Sequence, residues 1–282
     1  MADARGQSGS KTGSAIFDHV WAFNDWFMHR IPLGPAVCQP RQAINLHKVS
    51  VGPFVLGLML AYDQWSLAAW LYLALHGTYG LLWVAKDIAF GDRSWKGRAT
   101  VGSAVGVFIF PLALYYLPAL FICTPLGTVI PGGWGGAADV PLWVAFAAVA
   151  LFVFGSFFHF VADAQKYFVL RYQRPRQLIT SGMFSLSRNP NYLGEVMMYA
   201  AFNLLAQHWL PWLCCALIWV MVFGTNMLAK ERSMSRYPEH SAWVARTGLL
   251  LPSIPSLVAQ LSYVVGDPEG SSNSPLSRPK EA

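Results

Sequence analysis

ATVGSAVGVFIFPLALYYLPALFICTPLGTVIPGGWGGAADVPLWVAFAAVALFVFGSFFHFVADAQ, from Ala99 to Gln165, contains no lysine and no arginine. A helix needs about 20 predominantly apolar residues to cross the hydrocarbon core of a bilayer, so this run has room for two crossings. Its middle, Thr124 to Val140, is rich in Gly and Pro and predicts the turn between them. Two further runs repeat the pattern: Val49 to Ala85, with Asp63-Gln64 near its centre, and Asn189 to Ala229, centred on Gln207-His208. Together they predict an all-α, polytopic membrane bundle of about six helices. The spans are roughly Val49 to Tyr62, Trp65 to Ala85, Val101 to Cys123, Pro141 to Val161 (continuing towards Arg171), Tyr192 to Ala206 and Trp209 to Leu228. The first is short and has room to begin near Ala43, with Lys48 snorkelling towards the surface.

Composition agrees with an apolar solvent. Of 282 residues 55% are hydrophobic and 12% charged, about half the charge of an ordinary soluble domain. The net charge of +6 would suit nucleic acid, but its placement points to topology instead. The basic residues fall in the N-terminal arm (Arg30, Arg41, Lys48), in Lys86 to Arg98, in Arg171 to Arg188 and in Lys230 to Arg246. All lie on one side of the predicted hairpins, so the positive-inside rule puts both termini in the cytosol. The expected location is the endoplasmic reticulum in a eukaryote or the inner membrane in a bacterium, with no nucleic-acid partner.

Cys38, Cys123, Cys214 and Cys215 have no metal-ligand spacing and are expected to be packing residues, with no metal centre. Met1 to Gly13 is polar and small, unlike a cleavable signal peptide, and the C-terminus has no lipidation or retrieval motif. Met1 to Ser14 and Gly266 to Ala282 are expected to be unstructured. Gly248 to Val265 is apolar but contains Pro252 and Pro255, which favours an interfacial or re-entrant segment over a seventh crossing. No Walker or dinucleotide-fold glycine pattern is present, so any nucleotide must be held by helices and loops.

Ionisable groups at membrane depth are costly and are candidate functional groups for that reason. Arg188, Asn191/Tyr192 and Glu195 open the fifth helix on one face, with Pro190 suited to its first turn. An interfacial anchor would explain Arg188 and Tyr192 but not Asn191 and Glu195. His159 and Asp163 lie one turn apart on the fourth helix; a site and an Asp163–Lys166 pair closing a helix end are both open readings. Lys230, Arg232 and Arg236, with Arg171, Arg174, Arg176 and Arg188, form a basic cluster that positive-inside bias or a phosphate-bearing ligand would explain. His76 and Tyr79 share a face of the second helix, with Tyr79 roughly 10 Å below Lys86 at 1.5 Å per residue. Glu195 lies at a similar depth, so helices from opposite halves present proton-exchanging groups at one level. A packing tyrosine with a satisfied hydroxyl is the alternative.

Gly182-Met183-Phe184, then Ser187 to Glu195 (Ser-Arg-Asn-Pro-Asn-Tyr-Leu-Gly-Glu), then Lys230-Glu231-Arg232 and Tyr237, closing at Pro252, resemble the C-terminal half of the steroid 5α-reductase-like family. That family shares a membrane superfamily with sterol C14/C7 reductases and isoprenylcysteine carboxyl methyltransferases. The resemblance covers Phe158 to Pro252 well, His76 to Lys86 weakly, and the first 45 residues not at all. With the span pattern it gives the expected organisation: a cytosolic N-terminal arm (1–42), disordered in its first part, a four-helix membrane half (43–161), a steroid-reductase-like cofactor-binding half (162–265) and a disordered tail (266–282).

The resemblance implies an NADPH-dependent oxidoreductase of lipid metabolism acting on CH–CH groups. Asn191, Tyr192, Gly194 and Glu195 match the reductases' Asn–aromatic–x–Gly–acid core. Asp163, Arg171, Arg188, Asn191, Tyr192 and Glu195 would contact NADPH, with Arg232 and Arg236 near its phosphates. Tyr79, assisted by His76 or Glu195, would donate the proton to a steroid- or sterol-like enone or an acyl chain taken from the bilayer. The methyltransferases bind S-adenosylmethionine and carry an Arg-His-Pro-x-Tyr core, in which Asn189 here replaces the histidine. Methyl transfer to a lipid or prenylated cysteine is therefore the second reading, and a non-catalytic membrane scaffold the third.

Overall fold

The computed structural model describes residues 6–134 and 140–265. The chain opens with α1 (Gly6–His29) and continues through α2 (Pro40–Ala61), α3 (Leu67–Phe90) and α4 (Val101–Cys123). After a Gly/Pro-rich connection come α5 (Leu142–Tyr172), α6 (Pro190–Ala206), α7 (Trp209–Met234), α8 (His240–Arg246) and α9 (Ile254–Val265). Among the described residues the fold is all-α, with only isolated β-bridges. The helices α2, α3, α4, α5 and α7 are long and apolar enough to cross a membrane. The sixth expected span forms as α6, but its 17 residues make about 26 Å of helix against about 30 Å of hydrocarbon.

Local chemistry sets the helix ends. The Ser66 side chain accepts from the Ala69 amide at 3.3 Å and Thr100 from the Ser103 amide at 3.1 Å, each satisfying one orphan donor of a first turn. Pro190 occupies the first turn of α6, and Gln207 ends it in the left-handed region at φ 47°. Pro111 cannot extend the hydrogen-bond ladder, and α4 changes there to a 3₁₀ stretch, Leu112–Tyr116, before resuming. A π-helical turn, Trp219–Gly224, interrupts α7.

The expected turns gather at one end of the bundle. Gln64 Nε2 donates to the Ile122 carbonyl at 3.2 Å, the Trp134 amide to Gln207 O at 3.0 Å, and His208 Nε2 lies 3.2 Å from Ile130 O. The basic loops meet at the other end, where Lys166 Nζ bonds Asp92 at 2.9 Å and the Arg188 amide donates to Gly248 O at 3.0 Å. The segregation of Lys and Arg is thus built into the fold.

Lipid offers little hydrophobic drive for helices to associate, so close packing at small residues does much of the work. The α5–α6 crossing passes at Gly155 and Gly194, where a Cβ on Gly194 would lie 2.4 Å from the Gly155 carbonyl oxygen. At Gly80 an added Cβ would lie 1.9 Å from the Lys48 carbonyl oxygen, so α3 meets the backbone of α2 there. These two contacts hold α5 to α6 and α2 to α3 beside the polar groups described below.

Two expectations are corrected. The stretch Met1 to Ser14 was expected to be unstructured, yet α1 is helical from Gly6. Its C-terminal turns are anchored, with Asn24 Nδ2 on Met221 O at 2.9 Å and on Thr225 Oγ1 at 3.1 Å, and a nucleated helix propagates at little further cost. Residues 1–5 lie outside the described residues, and within the expected arm α1 packs on α4 and α7. Lys48 does not snorkel: it is 3% exposed and faces the bundle interior. The apolar segment after Gly248 forms α9, 12 residues long, too short to cross, in keeping with the expectation that it is not a seventh crossing. The expected tail, 266–282, lies outside the described residues.

Candidate functional site

The α-helical repeat places Tyr72, His76, Tyr79, Trp83 and Lys86 on one face of α3, and Glu195, Tyr199 and Phe202 on one face of α6. Packed together, with Lys48 from α2, these faces form a buried polar layer. The Tyr79 hydroxyl donates to Glu195 Oε1 at 3.1 Å, joining the two halves of the chain. Lys48 Nζ donates to the Tyr199 hydroxyl at 2.5 Å and to the Tyr79 hydroxyl at 3.4 Å. Its ammonium is caged by the rings of Tyr79, Trp83, Tyr115 and Tyr199, at 4.4, 4.7, 5.6 and 5.1 Å from their centroids. A cation at this depth is tolerable only with such partners. His76 Nδ1 lies 2.7 Å from the Tyr72 hydroxyl, and its ring stacks on Phe202 at 4.1 Å. The rings of His76 and Tyr79 are 6.2 Å apart, and His76 Nε2 has no partner among the described residues.

A second layer lies nearer the basic end. Lys86 forms an ion pair with Asp163 and approaches His159 Nε2 at 3.1 Å. His159 Nδ1 faces the Asn191 carbonyl at 3.1 Å, and its ring stacks on Trp83 at 5.6 Å. The Trp83 indole is thereby flanked by two lysines, with Lys86 at 4.4 Å. Lys166 pairs with Asp92 rather than with Asp163, so the helix-closing pair considered from sequence does not form. Beyond this layer opens a cleft of about 220 Å³, lined among others by Asp92, Asp163, Lys166, Arg171 and Arg176. Its three cations suit an anionic ligand, and its two carboxylates suit hydroxyl donors.

The sequence-predicted residues distribute unevenly over this arrangement. Tyr79, His76 and Glu195 come together in the deep layer, and Asp163 and Arg171 line the cleft. The polar stripe of α6 is divided. Arg188 precedes the helix and turns away, bonding Glu231 at 3.1 Å and the Thr247 carbonyl. Asn191 meets His159 through its backbone, while Tyr192 stacks on Phe223 at 4.8 Å under Lys230, whose ammonium is 4.3 Å from the ring. Arg232 pairs with Asp18 on α1, and Arg236 bonds Ser233 at 2.8 Å; neither is among the residues that line the cleft.

Lys48, Lys86, Tyr115 and Tyr199 were not singled out from sequence. A signal for Lys48 existed: Pro40 suits a first helical turn, and Gln39 and Gln42 bond reciprocally across it. A helix that starts at Pro40 carries Lys48 about 12 Å along its axis, too far to be an end residue.

No curated protein matches the chain. Residues 70–246, well over half of it, match a family described as "Protein of unknown function (DUF1295)". The matched stretch runs from α3 into α8 and contains Tyr79, Lys86, Asp163, Glu195 and Tyr199, while Lys48 lies before it. The chain belongs to this DUF1295 family of proteins of unknown function.

Proposed function

We propose that this membrane protein is an NADPH-dependent reductase of an activated carbon–carbon double bond in a lipid, a steroid- or sterol-like enone or an acyl chain. The observation that carries the proposal is the Tyr79–Glu195 contact of 3.1 Å. It sets a phenol beside a carboxylate inside a membrane bundle, the carboxylate at a position that the reductase core matches and the phenol at the level that helix depth assigns to it. When bound, NADPH supplies the hydride. Reduction at the β-carbon builds negative charge on the carbonyl oxygen, and the Tyr79 hydroxyl is the acid that polarises this oxygen and protonates the enolate. Glu195 accepts the one hydrogen bond that this hydroxyl donates in the resting site, the O–H would turn from it to the substrate oxygen when substrate binds, and the surrounding rings keep water out.

The cleft suits the phosphate-bearing end of the cofactor. Lys166, Arg171 and Arg176 would meet phosphate oxygens, and Asp92 and Asp163 would accept from ribose hydroxyls. On this reading Arg171 and Arg176 take the phosphate role that the resemblance alone gives to Arg232 and Arg236. The basic end faces the cytosol, with six crossings and both termini on that side, and substrate arrives sideways from the bilayer.

The test is a melting measurement on the detergent-solubilised protein with NADPH or S-adenosylmethionine. A ligand at a hundredfold excess over its dissociation constant stabilises by about 2.7 kcal/mol. Stabilisation by NADPH and not by S-adenosylmethionine is expected; the reverse would establish the methyltransferase reading in its place.

A further inference from the structure

The deep layer contains a group that a phenol–carboxylate pair does not require. Tyr79 is fully enclosed, with 0% exposure, so its oxygen exchanges protons first with the groups bonded to it. Of the groups bonded to that oxygen, Glu195 as a carboxylate can only accept, and it takes the Tyr79 hydrogen bond at 3.1 Å. The Tyr199 hydroxyl also bonds Tyr79, and Lys48 stands behind both phenols as the group with several protons to give, 3.4 Å from the Tyr79 oxygen and 2.5 Å from that of Tyr199. Lysine is a costly choice here if a cation is wanted only for packing, because its ammonium is more strongly hydrated than a guanidinium. Its aromatic cage and its bonds to two hydroxyls compensate for the lost hydration, and they aim it at Tyr79.

We infer that Lys48 is the positioning and proton-returning residue of the site, acting on substrate only through Tyr79. The inference rests on the reductase reading above. With the hydride that bound NADPH would supply, the Tyr79 proton would pass to the enolate oxygen and the enol would return to the saturated carbonyl compound, its proton moving to the α-carbon. Tyr79 would be left as a phenolate beside NADP⁺. The Lys48 ammonium then passes one proton to the phenolate oxygen, and the resulting amine regains a proton from water as product leaves. Charge and atoms balance: one hydride and one proton are added to the double bond, and solvent supplies the proton. Other titratable groups face Lys48 as well: Tyr115 from α4, Tyr199 and Glu195 from α6, and His76 and Lys86 from α3. The carboxylate of Glu195 balances the ammonium through Tyr79, while Lys86 is occupied by Asp163.

Lys48→Arg separates this role from packing, because arginine keeps the charge but does not release its proton. NADPH binding, measured without turnover from the melting shift, is expected to stay within about twofold of wild type. Rapid mixing with an accepted enone is expected to oxidise one equivalent of NADPH at near the wild-type rate, since Tyr79 starts protonated. Later turnovers are expected to be slower by about 10²-fold, the usual range for a lost proton-transfer group. Lys48→Met, which lacks both charge and proton, should show later turnovers slower than its first wherever it folds, the first itself lowered by the lost hold on Tyr79. Equal first and later rates in Lys48→Arg, whether at the wild-type level or uniformly slowed, would overturn the inference and leave the reductase reading standing. A wild-type protein that oxidises no NADPH with any enone would overturn both.

Discussion

Gly194→Ala adds one methyl group where α6 crosses α5, beside the residue that holds Tyr79. The new Cβ would lie 2.4 Å from the Gly155 carbonyl oxygen, 2.4 Å from the His159 backbone nitrogen and 2.8 Å from the His159 Cβ. The two closest atoms belong to backbone, so no rotamer change relieves the contact. The helices must part by about 1 Å to reach the ordinary 3.4 Å separation. Overpacking of this kind costs about 1–3 kcal/mol, and each kcal/mol lowers the melting temperature by a few degrees in a chain of this size. The same displacement moves Glu195 off Tyr79, and about 1 Å of misplacement at a reacting group slows a reaction about 10²-fold. Gly57→Ala is the control: no atom lies within 4 Å of its added Cβ, and alanine for glycine within a helix gains about 0.5–1 kcal/mol. Melting curves of both variants in one detergent, followed by NADPH-oxidation rates, make the comparison. A Gly194→Ala protein that melts with wild type would refute the close crossing and the placement of Glu195 built on it.

Tyr79→Phe removes one hydroxyl, so NADPH affinity should hold while turnover falls by about 10²-fold; unchanged turnover would make Tyr79 a packing residue. Arg188→Ala should destabilise the protein by about 1.5–3 kcal/mol, the scale of charged hydrogen bonds, with little change in NADPH affinity. A large loss of affinity without destabilisation would instead place Arg188 on the cofactor. Arg171→Ala should reduce the NADPH melting shift more than Arg236→Ala does, and the opposite order would move the phosphates out of the cleft. In sealed vesicles, tags at both termini should be reached from the cytosolic side and a tag near Gly133 from the other side only; protection of either terminus on the cytosolic side would break the six-crossing arrangement.

The helices were legible because bilayer depth imposes a length and a composition that lysine and arginine interrupt visibly. Asp63-Gln64, Thr124 to Val140 and Gln207-His208 read as turns because each breaks an apolar run, and they meet at one end of the structure. α6 was legible as a helix from Pro190, although its length falls below that of a full span. The level shared by Tyr79 and Glu195 was legible too, since depth along a helix follows from residue count. Lateral packing was not. Depth gives no rotation between helices, so nothing in the sequence turned Arg188 towards Thr247 or paired Lys86 with Asp163. Lys48 was misjudged because a lysine near a helix start is most cheaply pictured reaching back to water. Whether it does depends on what encloses it, here Tyr79, Trp83, Tyr115 and Tyr199 from three other helices. The segment α1 escaped notice because its first turns are small and polar, while its anchors, Asn24 on Met221 and Thr225, are about 200 positions away in sequence.

Isotope transfer tests most directly whether this bundle performs reductive chemistry on a lipid. The purified protein would be reconstituted in bilayers with a steroid-like enone and NADPH carrying deuterium at the transferable position of the nicotinamide, and the product analysed by mass spectrometry. One deuterium at the β-carbon of a saturated product is expected from wild type, with about 10²-fold less product from Tyr79→Phe. An unreduced enone, a product without label, or equal labelled product from Tyr79→Phe would contradict the assignment of Tyr79 and Glu195 as the heart of a reductase site.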